Sequence, residues 1–316
     1  MIEILKTDDG ALRQLDAVES GCWVNACVPS SQEVKWLADN LGIDNDFIDA
    51  MLDRDEISRI DKNEDASQAL VVVDYPAAED LDDKANPSLE QFDTQPISIL
   101  LIENPSVVVT LTNAPCSIVE KLKSDRKLSI ATGKRTRFLL DVLLEVSQSY
   151  IDALRVLEKQ TMALERKMRK KQNNEGLMSM LGIEKSLLYM STSLKSSAPT
   201  LQAIKNGQFV KLFEEDEELL NDVIVEYRQA SEMCSIYTDV ITRAMDAFSG
   251  VVSNNVNASM GVLTTITLLL SIPTVVFSFY GMNTNLLPMS DSWVFPMLLS
   301  VALAAVAVVV LLRWRR

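Results

Sequence analysis

The chain has 316 residues and a net charge of −14, with 47% hydrophobic residues and no histidine. That length holds one large soluble domain plus a membrane module. The acidic balance argues against nucleic acid as a partner, and the missing histidine removes the commonest general base and transition-metal ligand.

Residues 1–130 read as a mixed α+β domain. Gly21–Val28, Ala69–Val73 and Ile97–Leu111 are rich in Val, Ile and Leu and are bounded by turns, which predicts strands. Within the last, Ile97–Ile102 and Ser106–Leu111 flank Glu103-Asn104-Pro105 as a hairpin. Ser31–Leu41 and Asn45–Leu52 read as helices, with Ser31 as an N-cap and Glu33 in the first turn. The run Glu79-Asp80-Leu81-Asp82-Asp83 reads as a solvated loop, with cation sensing as the rival. Cys22, Cys27, Cys116 and Cys234 are scattered, and Cys22 and Cys27 lack a matching second pair. That spacing argues against structural zinc and for reduced thiols. The N-terminus carries no apolar signal-peptide core.

Residues 131–212 read as a helical hairpin. Phe138, Leu139, Val142, Leu143, Val146, Tyr150, Leu154 and Leu157 recur at helical spacing. The basic run Arg166–Lys171 ends that helix as a solvated terminus; contact with lipid headgroups or acidic neighbouring subunits is the rival reading. A second helix over Glu175–Ser197 packs back, and Pro199 predicts its break.

From about Phe213 the chain holds no Pro before Pro273, which predicts one helix to residue 279. At about 1.5 Å per residue it is roughly 100 Å long, about three bilayer cores. Residues 213–258 are then a stalk and 259–280 a membrane span. Ser253, Asn257, Met260, Thr264, Thr267, Ser271, Thr274 and Ser278 are spaced alternately 4 and 3. That is the seam of a left-handed bundle. The seam is polar and its flanks are apolar, which reads as helices of a homo-oligomer around a wet axis. Ordinary close packing of small and hydroxyl residues gives the same spacing. Asp239, Arg243, Asp246 and Gly250 extend the seam backward. A second span covers 293–312; the loop 281–292 has no Lys or Arg, whereas 313–316 reads Arg-Trp-Arg-Arg. The positive-inside rule puts both termini in the cytosol of a multi-pass cell-membrane protein.

Tyr280-Gly281-Met282-Asn283, standing between two C-terminal spans behind a large acidic body, resembles the signature of the CorA family of divalent-cation channels. The resemblance implies a cytoplasmic α+β domain with a long stalk helix, in a funnel-shaped homopentamer. It implies a passive magnesium channel gated by cytosolic magnesium, with Co2+ or Ni2+ as other cargo, and no enzyme. It puts a selectivity filter at Gly281, Met282 and Asn283, where Asn283 meets the hydrated ion with a carboxamide oxygen, and an apolar gate near Met260 and Leu263. Met282 is read as packing rather than binding. Asp222 matches the family's regulatory stalk aspartate. Its partner position reads Ala50, with Asp49 and Asp53 beside it. The outer loop departs from the family pattern: Asn285 and Met289 take the acidic positions, and Asp291 alone remains to attract cations. Two rivals are a zinc, cobalt or nickel transporter on the same scaffold and a membrane-anchored coiled-coil interaction protein. The partners implied are further copies of the chain, membrane lipids and divalent cations.

Overall fold

The computed structural model describes residues 1–8, 10–79, 90–124, 130–170, 174–207, 209–282 and 293–314. The acidic run from Asp80 to Asp83 lies outside them, as do the outer loop 283–292 and Arg315 and Arg316. The chain divides into two units, Met1–Met245 and Asp246–Arg316.

The first unit is built on a seven-stranded sheet: β1 (Ile2–Asp8), β2 (Ala11–Leu15), β3 (Trp23–Cys27), β4 (Arg59–Asn63), β5 (Gln68–Ala78), β6 (Phe92–Ile102) and β7 (Val107–Thr112). The spatial order is β2-β1-β3-β7-β6-β5-β4. The β3–β7 pair is parallel and the others antiparallel. The continuous apolar runs of the middle strands follow from burial on both faces. On one face Val24, Ala26, Leu70, Val72, Leu100, Val107 and Val109 pack with residues of α1 (Ser31–Leu41) and α2 (Asn45–Leu52). The other face is covered by α4 (Arg135–Lys170) and α5 (Asn174–Lys205), and α3 (Ser117–Ser124) packs beside α4. There Trp23 stacks on Phe138 with ring centroids 5.0 Å apart and donates from Nε1 to Thr110 Oγ1.

Three local expectations change. The N-cap of α1 is Ser30, not Ser31: Ser30 is extended, its Oγ accepts the Glu33 N–H, and Glu33 Oε2 accepts the Ser30 N–H at 2.8 Å. The Ser30 N–H, the Met1 ammonium and the Ser30 hydroxyl, all donating to this carboxylate, hold the Glu33 carboxyl down at about 2. Pro199 does not end α5, which continues to Lys205. A helical proline removes one backbone bond, and burial of Leu201 and Ile204 keeps the last turns docked. The edge strands β2 and β4, the neighbouring β1 and the short α3 were not foreseen.

Helix α6 runs Glu214–Tyr280. Its first turn is Glu214, Glu215, Asp216 and Glu217, acids at the positive end of the dipole. In the first unit Leu220, Val223, Tyr227, Ala230, Cys234 and Ile241 form its buried side. The rings of Tyr227 and Tyr150 lie 6.5 Å apart, and Cys234 Sγ donates to the Leu187 carbonyl. The second unit contains the rest of α6 and α7 (Val294–Trp314). Both helices are long and apolar enough to cross a membrane.

Asp141 is nearly buried on α4. Desolvation lifts its carboxyl to about 6; Asp216 and Glu145 push the same way, and Arg137 opposes. The folded state therefore holds a proton that the unfolded chain releases near pH 4. This contribution to stability is full below that value and is lost as pH rises through 6. Asp141→Asn in the detergent-solubilised protein should flatten the melting temperature between about pH 4 and 6 and raise it at pH 7 by a few degrees, measured by thermal melts across pH.

Candidate functional site

The second unit presents its polar residues along one side of α6. Gly250, Ser253, Asn257, Met260, Leu263, Thr264, Thr267, Ser271, Thr274 and Ser278 are all exposed. The opposite side is shielded: Val276 is buried, and Gly261, Thr265, Leu269, Ile272, Pro273 and Tyr280 are half-buried. At 100° per residue the two rows are centred roughly 150° apart around the helix. On α7 the shielded row is Phe295, Pro296, Leu299, Ser300, Ala304 and Ala307. The Tyr280 and Phe295 rings, with centroids 6.0 Å apart, tie the shielded sides together. The second span therefore lies behind the hydroxyl row and leaves that row open. Thr265 belongs with the other hydroxyls by composition, yet it falls on the shielded side. The 4-3 spacing already leaves Thr265 out of the seam.

Four hydroxyls of the row each have a defined acceptor. Thr264 Oγ1 donates to the Met260 carbonyl at 2.8 Å, Thr267 to Leu263 at 2.9 Å and Thr274 to Leu270 at 3.0 Å. Ser271 Oγ donates to the Leu268 carbonyl at 2.8 Å. A hydroxyl has one proton and two lone pairs. With the proton spent on the helix's own backbone, the oxygen presents only acceptor capacity outward. The row is thus a ladder of neutral acceptors. Water around a small divalent cation points its hydrogens outward, so the ladder matches a hydrated cation better than an anion or a bare one. Apolar neighbours Val262, Ile266, Leu268 and Leu270 flank it.

At the C-terminal end of α6 Gly281 donates its N–H to the Phe277 carbonyl at 2.9 Å. A Cβ at Gly281 would stand 3.1 Å from that oxygen, tighter than a side chain normally tolerates, which explains glycine at this point. Met282 is 58% exposed, so within one chain it is not packed away. Asn283 lies outside the described residues. Earlier in α6 Asp246 is exposed in the second unit, and Asp239 and Arg243 are exposed in the first.

The regulatory candidates are also on the surface. Asp222, Asp49 and Asp53 are exposed, while Ala50 between the last two is buried. Asp53 Oδ1 accepts the Asp55 N–H at 2.9 Å, and the Asp53 N–H reaches the Asp49 carbonyl. Among the described residues no three Cys, Asp or Glu side chains come together as a cage that could hold a metal.

Residues 18–316 match the family model described as CorA-like Mg2+ transporter protein. The chain is 26% identical over 274 residues to the cobalt/magnesium transport protein CorA of Methanocaldococcus jannaschii, covering 85% of this chain and 82% of that one. The complete structure of the CorA magnesium transporter from the same organism superposes with a TM-score of 0.80 at 23% identity, covering 100% of this chain and 98% of that chain. Full-length CmaX superposes with a TM-score of 0.72 at 16% identity, covering 100% and 97%.

The opposed rows of α6 predict a labelling pattern. In a background with Cys22, Cys27, Cys116 and Cys234 replaced, a water-soluble thiol reagent should modify Thr267→Cys, Ser271→Cys and Thr274→Cys in membranes. Thr265→Cys, Leu269→Cys and Val276→Cys should react at least about tenfold more slowly, since only a hydrated thiol forms the reactive thiolate. Equal rates on the two rows would contradict the geometry.

Proposed function

Because the chain belongs to the CorA-like Mg2+ transporter family, we propose that it is a passive magnesium channel assembled as a homopentamer. The observation that carries the reading is the open ladder of hydroxyl acceptors on α6, set opposite the side shielded with α7. One such helix cannot enclose a path. Copies arranged with their ladders inward would line one with weak neutral ligands, which suits conduction of a hydrated ion.

In this reading residues 1–130 and 131–212 form the cytoplasmic domain and 213–258 the stalk. Residues 259–280 line the pore, 281–292 form the outer loop, 293–312 the second span and 313–316 the cytosolic tail. Gly281 and Met282 position Asn283, whose carboxamide receives the ion with its water shell. Met260 and Leu263 form an apolar ring that closes the path by dewetting. Asp246 and Asp239 draw the ion into the cytosol. The membrane potential supplies about 5 kcal/mol per 100 mV to a divalent cation moving inward. Cytosolic magnesium bridging Asp222 of one subunit to the Asp49 and Asp53 face of another would hold the stalks together and close the axis. Without the ion, the facing carboxylates repel and the stalks part.

Magnesium flux into proteoliposomes tests the pathway. Asn283→Ala should lower the rate by at least about tenfold, the scale of one lost charge-assisted contact; transport at the wild-type rate would sink the filter assignment. Cobalt competition in the same assay ranks the two ions that the Methanocaldococcus relative's name joins. A second measurement addresses feedback. Asp222→Ala should require several-fold more magnesium on the cytosolic side to suppress current, as expected when one carboxylate of a shared site is removed. An unchanged inhibition curve would place regulation elsewhere.

A further inference from the structure

The first unit contains a cavity of about 450 Å³ that transport does not use. It lies where the β4–β5 and β6–β7 turns meet the start of α4 and the segment leading into α6. Five basic side chains line it, against the acids Glu103, Glu215 and Asp216. Lys134 is paired with Glu215 at 3.0 Å and Arg137 with Asp216 at 3.6 Å. The other three have no ion pair with a lining carboxylate. Lys62 reaches Glu64, outside the cavity, at 3.6 Å; Arg135 donates to the Ile102 carbonyl; Lys211 Nζ stands over the Phe213 ring at 5.4 Å.

The start of α4 adds to this positive field. Phe138 donates its N–H to the Lys134 carbonyl, so Lys134 occupies the cap position. Lysine has no acceptor for the first-turn N–H groups that follow. That turn has no acid. Lys134, Arg135 and Arg137 instead place three cations at the positive end of a 36-residue helix dipole. The arrangement opposes the usual charge order, as the acidic first turn of α6 illustrates. An anion seated among these groups removes the conflict. The same cavity has an aromatic wall, Phe209 and Phe213, and Phe213 is 52% exposed. Its volume falls within the usual range for small-molecule sites, about 300–1,000 Å³.

We propose that this cavity binds a nucleoside polyphosphate, with its phosphates on Lys62, Arg135, Lys211 and the α4 N–H groups and its base against Phe213. The site would report the phosphorylation state of the cell to the soluble unit. It stands independently of the ion pathway, and its test reads binding, not transport.

The test is calorimetric titration of the full-length protein in detergent with ATP and, separately, sodium triphosphate. Saturable binding of both, weakened by salt, is expected. The Lys62→Ala/Lys211→Ala double variant should lose about 100-fold for both probes, about tenfold per charged contact. Phe213→Ala should lose about tenfold for ATP and leave triphosphate unchanged, as loss of one stacking partner does. Failure of either probe to saturate, or full affinity in the double variant, overturns the site. Equal affinity of the wild type for ATP and triphosphate overturns its nucleoside half. In the wild type, ATP should also protect Lys62 and Lys211 from acylation, read by mass spectrometry. Unprotected lysines at saturating ATP would place the ligand elsewhere even if the variants misfold.

Discussion

In a bilayer every hydrogen-bond donor has to find its acceptor inside the protein, and four hydroxyls on the open row of α6 meet that constraint within the helix. The protons of Thr264, Thr267, Ser271 and Thr274 go to carbonyls three or four residues back. The donors are thereby satisfied before any neighbour arrives. What remains outward is oxygen lone pairs in a line, without charge. A charged line would bind a divalent ion too tightly to release it, and an apolar line would offer nothing to its water. The neutral ladder lies between these limits, and the rest of the second unit follows from where it points. The shielded row with Val276 has to lie on the other side, and the Tyr280–Phe295 contact belongs to that side.

The first unit solves a different problem. Its sheet is buried on both faces, so its middle strands are largely apolar and its helices are amphipathic. α4 and α5 cover one face, and the early part of α6 offers their unit a single buried side from Leu220 to Ile241. Several polar groups within this core are paired, Trp23 with Thr110, Thr110 with Asn25 and Tyr150 with Ser193, whereas Thr112 Oγ1 and the Tyr227 hydroxyl are buried without a partner. Such pairing fixes the packing more tightly than apolar contact alone. The exposed faces of α2 and α6 keep Asp49, Asp53 and Asp222 at the surface.

The sequence made some of this legible and hid the rest for physical reasons. Long helices announce themselves by sustained period, so α4, α6 and α7 were read to within two residues at most boundaries. Strands buried on both sides read as apolar runs, so β3, β5, β6 and β7 were visible. The edge strands were not: Arg59-Ile60-Asp61-Lys62-Asn63 is a half-exposed ribbon held by its register with β5, which local composition does not encode. Pro199 misled because a proline signals a lost bond, whereas the helix was decided by burial of Leu201 and Ile204 beyond it. The hydroxyl row of the candidate site was legible as a spacing. Its orientation away from α7 was not, since a period identifies a face without naming what it meets. The cation-rich start of α4 was present in Lys134-Arg135-Thr136-Arg137 but gained meaning only with the cavity beside it.

Pro273 lies within α6 on the shielded row. With no N–H to give, it leaves the Leu269 carbonyl without its helical donor. The last seven residues of α6, from Thr274 to Tyr280, are therefore linked to the turns before them by one backbone bond fewer than any other part of the span. A small change of angle at this joint ruptures nothing. The segment from Thr274 to Tyr280 can then tilt as a short lever while the turns before Pro273 stay straight, so the two ends of the span need not move together.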